Sequence, residues 1–225
     1  LYQATGFYDT QLTVTDNEGN TSSEMFKIWV FTAGDHLSPF FTIADTYLTN
    51  EKVELGFLTK IFYESPFDPD IVSINALITQ PDGTIREVPC FFYEKVTNES
   101  GSWMTDTDEH YWMVRWSSEQ AGVHQIQLEI TDVEGQNLGT VQEVNLLAGT
   151  TKGIINKSAN NRQFYQHSTQ EMYYPFGINV AWNDIGNYAK TIQNLSDGKA
   201  NWVRYWHAAF TNQALEWNDG IGNYS

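Results

Sequence analysis

Residues 201–207, Asn-Trp-Val-Arg-Tyr-Trp-His, bring an arginine, two tryptophans and a histidine into one short segment. Arg204 can hold a carboxylate in its ionised form through charge-assisted hydrogen bonds. Trp206 offers a π face that attracts the C–H groups on the apolar side of a sugar ring. His207 can hydrogen-bond to a hydroxyl or to a carboxylate. Asn179 and Trp182 lie in a similar segment, Phe176 to Trp182, and Trp217 falls in the Gly- and Asn-rich stretch that follows. Each has an ordinary alternative. Arg204 can be a structural ion-pair residue, Trp182 and Trp206 core aromatics, His207 a satisfied structural histidine, and Asn179 or Trp217 simple surface groups.

Other chemistries find less support. The turns Asp16-Asn17-Glu18 and Asp132-Val133-Glu134 carry oxygen ligands. Calcium needs six or more oxygens in a defined loop, so these read as hairpin turns and no metal site is assigned. Cys90 is the only cysteine, which excludes a disulfide or a Cys-based zinc site within the chain and suggests a buried, inert thiol. No cofactor is expected. With 28 Asp+Glu against 12 Lys+Arg, the formal charge is −16, the wrong sign for nucleic acid or an anionic membrane surface. No apolar run approaches the ~18 residues of a membrane span. Aromatics reach 15% of residues, and such rings must fill cores or line a binding surface.

The candidate residues need elements to hold them. Phe176 to Trp182 reads as a buried strand and Asn201 to His207 as a second. Between them, Tyr188, Ile192 and Leu195 fall at helical spacing, with Asn187 as a plausible N-cap and Gly198 as a stop. Strand, helix and strand in about 30 residues make a βαβ unit, which implies a parallel sheet. Before it, Phe164-Tyr165 and Met172-Tyr173-Tyr174 flank a small predicted hairpin.

Upstream of residue 150 the period changes to two, and an internal repeat appears. Residues 6–19 read GFYDTQLTVTDNEG and residues 122–135 read GVHQIQLEITDVEG. Each copy is a Gly turn, a strand with inward side chains at alternate positions, and a tight acidic turn. Tyr8, Leu12 and Val14 share a face in the first copy; His124, Ile126, Leu128 and Ile130 do so in the second. Alternating segments at Val53–Phe57 and Val72–Ile78, a Pro81-Asp82-Gly83 turn with a return strand from Ile85 to Tyr93, and an aromatic strand from Tyr111 to Trp116 lie between them. Turns at this spacing predict an all-β sandwich.

These motifs carry three resemblances. Residues 1–33, with LTVTDNEGNTS followed by FKIWV, resemble the C-terminal half of a PKD-type domain. Residues 36–148, chiefly WMVRWSSEQAGVHQIQLEITDVEG, resemble the immunoglobulin-like module that precedes catalytic barrels in some bacterial glycoside hydrolases. Residues 153–225 resemble the start of the (β/α)₈ barrel in the cellulase-like clan of retaining glycoside hydrolases. A PFGIN first strand follows a short hairpin there, and Asn201-Trp202-Val203-Arg204 matches the clan's N-x-x-R second strand.

The resemblances imply a mainly β chain. Its parts are C-terminal strands of one sandwich (1–35), an immunoglobulin-like β-sandwich (36–149), and the first β/α units of a truncated TIM barrel (150–225). They imply a secreted or cell-surface enzyme acting on a polysaccharide or oligosaccharide, with both ends of this chain cut from a longer polypeptide. In the resembled clan the second-strand arginine supports the nucleophile, which with the acid/base residue comes from strands four and seven. The third segment ends after strand two and must contact the remainder of the barrel. No Asp or Glu here takes either catalytic role, Glu216 included, so this chain alone is expected to be inactive. The alternative is a non-catalytic extracellular adhesion or carbohydrate-binding protein built from sandwiches, which has no use for a βαβ unit.

Overall fold

A computed structural model of the chain describes residues 6–31, 34–99, 102–180 and 185–206. It is mainly β, with several sheets and one helix among the described residues. Strands β1 (Gly6–Thr15) and β2 (Thr21–Val30) form an antiparallel hairpin. Then follow β3 (Phe41–Thr42), β4 (Tyr47–Leu48), β5 (Val53–Phe57), β6 (Ser73–Thr79), β7 (Ile85–Pro89), β8 (Phe91–Glu99), β9 (Ser102–Trp116), β10 (Gly122–Asp132), β11 (Gly135–Leu138) and β12 (Gln142–Leu147). These make two sheets, one ordered β4-β12-β10-β6-β7 with β11 also on β10, the other β3-β5-β9-β8.

The two sheets face each other as a β-sandwich because each alternates apolar and polar residues. One contributes Val53, Leu55, Phe57, Trp112, Val114 and Trp116 to the core; the other contributes Ile74, Ala76, Ile78, Ile126, Leu128, Ile130 and Leu146. Directly opposed pairs, Ile74↔Ile130, Ala76↔Leu128 and Ile78↔Ile126, weld β6 to β10. The predicted inward set of β10 is buried as expected, His124 included. Its Nδ1 lies 3.1 Å from the Gly122 carbonyl and its Nε2 2.9 Å from Ser118 Oγ, so the polar ring sits in the core with both nitrogens engaged.

The return strand predicted from Ile85 to Tyr93 is in fact two strands in different sheets. The chain crosses from one layer to the other at Cys90, whose N–H bonds to the Ile74 carbonyl. Its thiol packs against the core edge, and burial pushes its pKa up. The Pro81-Asp82-Gly83 turn forms as predicted. Asp82 accepts from the Thr84 hydroxyl and N–H, and these bonds, with one from Gln120, hold its carboxyl below the usual range. The two acidic turns also direct their carboxylates at the chain itself. Asp16 accepts from Glu18 and Asn20, whereas Asp132 accepts from the Glu134 N–H and the Tyr63 hydroxyl.

The sequence repeat is also a repeat of register. Gly6↔Val30, Tyr8↔Ile28 and Thr10↔Phe26 correspond to Gly122↔Leu146, His124↔Val144 and Ile126↔Gln142. The environments differ. Leu128 and Ile130 are 2% and 1% exposed, while the aligned Leu12 and Val14 are 54% and 59% exposed. Leu12 and Val14 share a face, but it is not inward: among the described residues β1 pairs only with β2, and none takes the place on β1 that β6 takes on β10.

On the outer face of the smaller sheet, Glu54 lies 2.5 Å from Arg115 Nε and 2.9 Å from Lys52 Nζ. Desolvation raises the Glu54 pKa, but the hydrogen bonds from Lys52 and Arg115 outweigh it and leave the net shift downward. A carboxylate depressed in the folded state contributes stability above its unfolded pKa and loses it as pH falls through the folded value. The sandwich should therefore lose stability on acidification below the ordinary glutamate range. Glu54→Gln should flatten that dependence by lowering stability at neutral pH while leaving stability at acid pH nearly unchanged. Urea melts from pH 7 to pH 3 check this, and parallel curves for variant and parent would refute it.

The third segment comprises β13 (Ile155–Lys157), β14 (Tyr165–His167) and β15 (Met172–Tyr173), a small antiparallel sheet, followed by β16 (Gly177–Val180), helix α1 (Ile185–Asp197) and β17 (Trp202–Tyr205). The β14–β15 hairpin is the predicted one, and β13 adds a strand that the pattern did not reveal. Strands β16 and β17 pair in parallel across α1, giving the expected βαβ unit. The helix ends differ from expectation. Asn187 lies inside α1 and not at its cap. Gly198 follows the last helical residue, but the left-handed residue is Lys199, with φ 61°. The Ala200 N–H to Leu195 carbonyl and Lys199 N–H to Ser196 carbonyl bonds close a Schellman motif around it. The predicted buried strand at β16 is buried only at Val180. Ile178 stays exposed because, among the described residues, the sheet has only two strands.

Candidate functional site

The parallel register sets Gly177 beside Trp202, Asn179 beside Arg204 and Val180 beside Tyr205. Side chains alternate across a strand, and level neighbours share a face. Asn179 and Arg204 therefore project together. Val203 projects the other way, lining a depression with Ile192 and Leu195 of α1. Asn179 and Arg204 thus occupy the face away from the helix, at the carboxyl ends of the strands. Both are exposed.

Trp206 extends the pairing one step, its N–H bonding to the Val180 carbonyl at 3.1 Å. The Arg204 guanidinium carbon lies 5.6 Å from the centre of the Trp206 ring, within cation–π range. At an exposed site such a contact is worth about 0.5–1 kcal/mol, enough to bias the arginine rotamer. Among the described residues no carboxylate is placed against Arg204. The structure therefore brings together Asn179, Arg204 and Trp206. Trp182, His207 and Trp217 lie outside the described residues.

The acidic groups of this segment that lie among the described residues are engaged elsewhere. Glu171 sits 2.6 Å from Lys152 Nζ, and that hydrogen bond holds its carboxyl below the usual range. Asp197 accepts from Gln193 at 2.8 Å. A cleft of about 460 Å³, lined by Ile155, Tyr165, Tyr173, Pro175, Gly177 and Trp202, opens at the amino ends of β16 and β17. It lies at the opposite end of the strands from Arg204, so this cleft and the candidate chemistry are separate.

Asn201 has a part that the motif alone did not reveal. Its Oδ1 accepts from the Phe176 N–H at 2.8 Å and its Nδ2 donates to the Tyr174 carbonyl at 3.0 Å. Its own N–H donates to the Phe176 carbonyl at 2.9 Å, and its carbonyl accepts from the Tyr173 hydroxyl at 2.6 Å. The available signal was an asparagine between a helix stop and an aromatic strand.

No family model and no curated protein sequence matches this chain. Among solved structures, it is similar in fold to a provisionally assigned glycoside hydrolase from Bacteroides vulgatus. The TM-score is 0.52 at 16% identity, over 72% of this chain and 28% of that one. The chain thus spans little more than a quarter of the matched protein, and at this identity the likeness is one of fold.

Proposed function

We propose that this chain is the accessory and substrate-cleft portion of a secreted, retaining glycoside hydrolase. In this reading it joins a PKD-like hairpin (1–35), an immunoglobulin-like sandwich (36–149) and the opening of a (β/α)₈ barrel (150–225). The observation that carries the reading is the parallel β16-α1-β17 unit with Asn179 and Arg204 level at its carboxyl ends, where barrel enzymes place their active sites. The fold likeness to a provisionally assigned glycoside hydrolase supports it. A purely adhesive sandwich protein would not need this unit.

In the proposed role, Arg204 keeps the nucleophilic carboxylate ionised and oriented, Asn179 hydrogen-bonds sugar or carboxylate, and Trp206 supplies an apolar platform. Trp182, His207 and Trp217 are assigned substrate contact on the same reading. Retaining hydrolysis needs two carboxyl groups about 5 Å apart, which the rest of the barrel would supply. Among the described residues no helix is long and apolar enough to cross a membrane. The partner proposed is an extracellular poly- or oligosaccharide.

The test is reducing-sugar release from a panel of β-glycans, with the anomeric form of the first product followed by NMR. The full-length natural polypeptide should hydrolyse at least one glycan with retention. Residues 1–225 alone should hydrolyse none. Turnover by this chain alone would refute the barrel assignment or its register, and a full-length polypeptide inert on every glycan would refute the enzyme reading.

A further inference from the structure

We propose that Asn201 is a positioning residue: its side chain locks the register of β17 against β16 and so decides which face presents Arg204. The functional half of this inference rests on the glycoside hydrolase reading above. The geometric half stands on the hydrogen bonds themselves.

A two-stranded parallel pair has little to fix its register, because parallel bonds are evenly spaced and slanted. The side-chain period is two, so a slip of one residue would turn Arg204 and Trp202 to the helix side and send Val203 and Tyr205 to the open face. Asn201 stands at the entrance of β17, where such a slip would have to begin. Its amide side chain grips the Phe176 N–H and the Tyr174 carbonyl, while its backbone N–H takes the Phe176 carbonyl. The Tyr173 hydroxyl occupies the remaining acceptor. All four polar groups of Asn201 are thus spent on residues 173–176.

No other residue type reproduces this set. Aspartate keeps the acceptor for Phe176 but sets a negative oxygen against the Tyr174 carbonyl. Glutamine is one methylene too long to serve both without shifting the strand. Gly177 adds a second constraint, since any side chain there would run into the Trp202 carbonyl. Glycine thus allows the close approach that Asn201 fixes. From this end the register runs through Asn179↔Arg204 to the Trp206 N–H bond with Val180.

The experiment compares wild type, Asn201→Ala and Asn201→Asp in the full-length natural polypeptide, using amide hydrogen exchange and kinetics. In Asn201→Ala the Trp206 amide, five residues from the change, should exchange about tenfold faster, as expected for loss of one or two net hydrogen bonds. The Leu128 amide in the sandwich should keep its protection, and Asn201→Asp, which keeps the Phe176 bond but opposes an anionic oxygen to the Tyr174 carbonyl, should also exchange faster than wild type at Trp206. An unchanged Trp206 amide would reduce Asn201 to a local turn residue and overturn the proposal.

In the kinetic arm kcat should fall more than KM rises. The acid limb of the kcat/KM profile should move to higher pH, because a displaced arginine no longer favours the ionised nucleophile. A lowered kcat with an unmoved acid limb would mean that Asn201 does not act through Arg204. A wild-type polypeptide without glycosidase activity would refute the enzyme reading, while the exchange result would still decide the clamp.

Discussion

Leu128→Ala should destabilise the sandwich by about 4 kcal/mol, whereas Leu12→Ala, at the aligned position of the first copy, should cost less than about 0.5 kcal/mol. The two leucines occupy the same place in the repeat, just beyond the stretches Gly6–Thr10 and Gly122–Ile126 that pair with the same register. Their surroundings differ. Leu128 is 2% exposed, sits directly across from Ala76, and packs where β6, β10 and the facing sheet converge. Ala76 is too small to swing into the vacated space, so the cavity would persist and add to the lost transfer energy. Leu12 faces open space and is opposite Glu24. Urea unfolding followed by tryptophan fluorescence, with Trp112 and Trp116 in the core as reporters, gives the comparison. Equal losses for both variants would mean that the face of β1 is covered in solution. No loss for Leu128→Ala would mean that the register of β10 is wrong.

That contrast shows what kind of information the sequence carried. Alternation at Val53–Phe57, Val72–Ile78 and Gly122–Asp132 marked the inward residues, because a half-buried strand must repeat every two positions whatever it pairs with. Pairing partners were less legible. After Pro89 the mixed pattern of Ile85–Val88 gives way to the apolar run Cys90-Phe91-Phe92-Tyr93, but nothing in Ile85–Tyr93 says that the chain enters the other sheet there. Tyr8, Leu12 and Val14 have the pattern of an inward face, yet pattern records a preference for burial and not the presence of a partner. In α1 the spacing of Ile192 and Leu195 marked the helix, while its ends obeyed local hydrogen bonding. Lys199 took the left-handed position that glycine usually takes, held by the paired bonds to Leu195 and Ser196.

The candidate site was legible as residue types and opaque as geometry. Arg204, Trp206 and Asn179 stood out because charged and aromatic groups crowd two short segments. That Asn179 is level with Arg204 depends on a register which neither segment's alternation determines. Asn201 determines it through its side chain, and a single asparagine before a strand has too many ordinary explanations to be singled out from sequence.

Arg204→Ala in the full-length natural polypeptide should lower kcat/KM about 100-fold, equivalent to about 3 kcal/mol of transition-state stabilisation, while shifting the melting temperature little. The argument starts from position. Arg204 is exposed, on the helix-free face at the carboxyl end of β17, with its guanidinium carbon 5.6 Å from the Trp206 ring centre. Removing an exposed side chain whose contact among the described residues is one cation–π pair should cost about 0.5–1 kcal/mol of stability. The same guanidinium beside a nucleophilic carboxylate would contribute far more to catalysis, since it favours the ionised form and fixes its direction before reaction. Arg204→Lys should recover only part of the rate, because an ammonium lacks the planar fork that grips a carboxylate through two parallel bonds. Trp206→Ala should weaken substrate binding more than it slows turnover, since a stacking platform holds the sugar in ground and transition states alike. Steady-state kinetics and thermal melts on these three variants separate the roles. A fully active Arg204→Ala, or one that fails to fold, would make Arg204 a structural residue and remove the catalytic assignment from this end of the sheet.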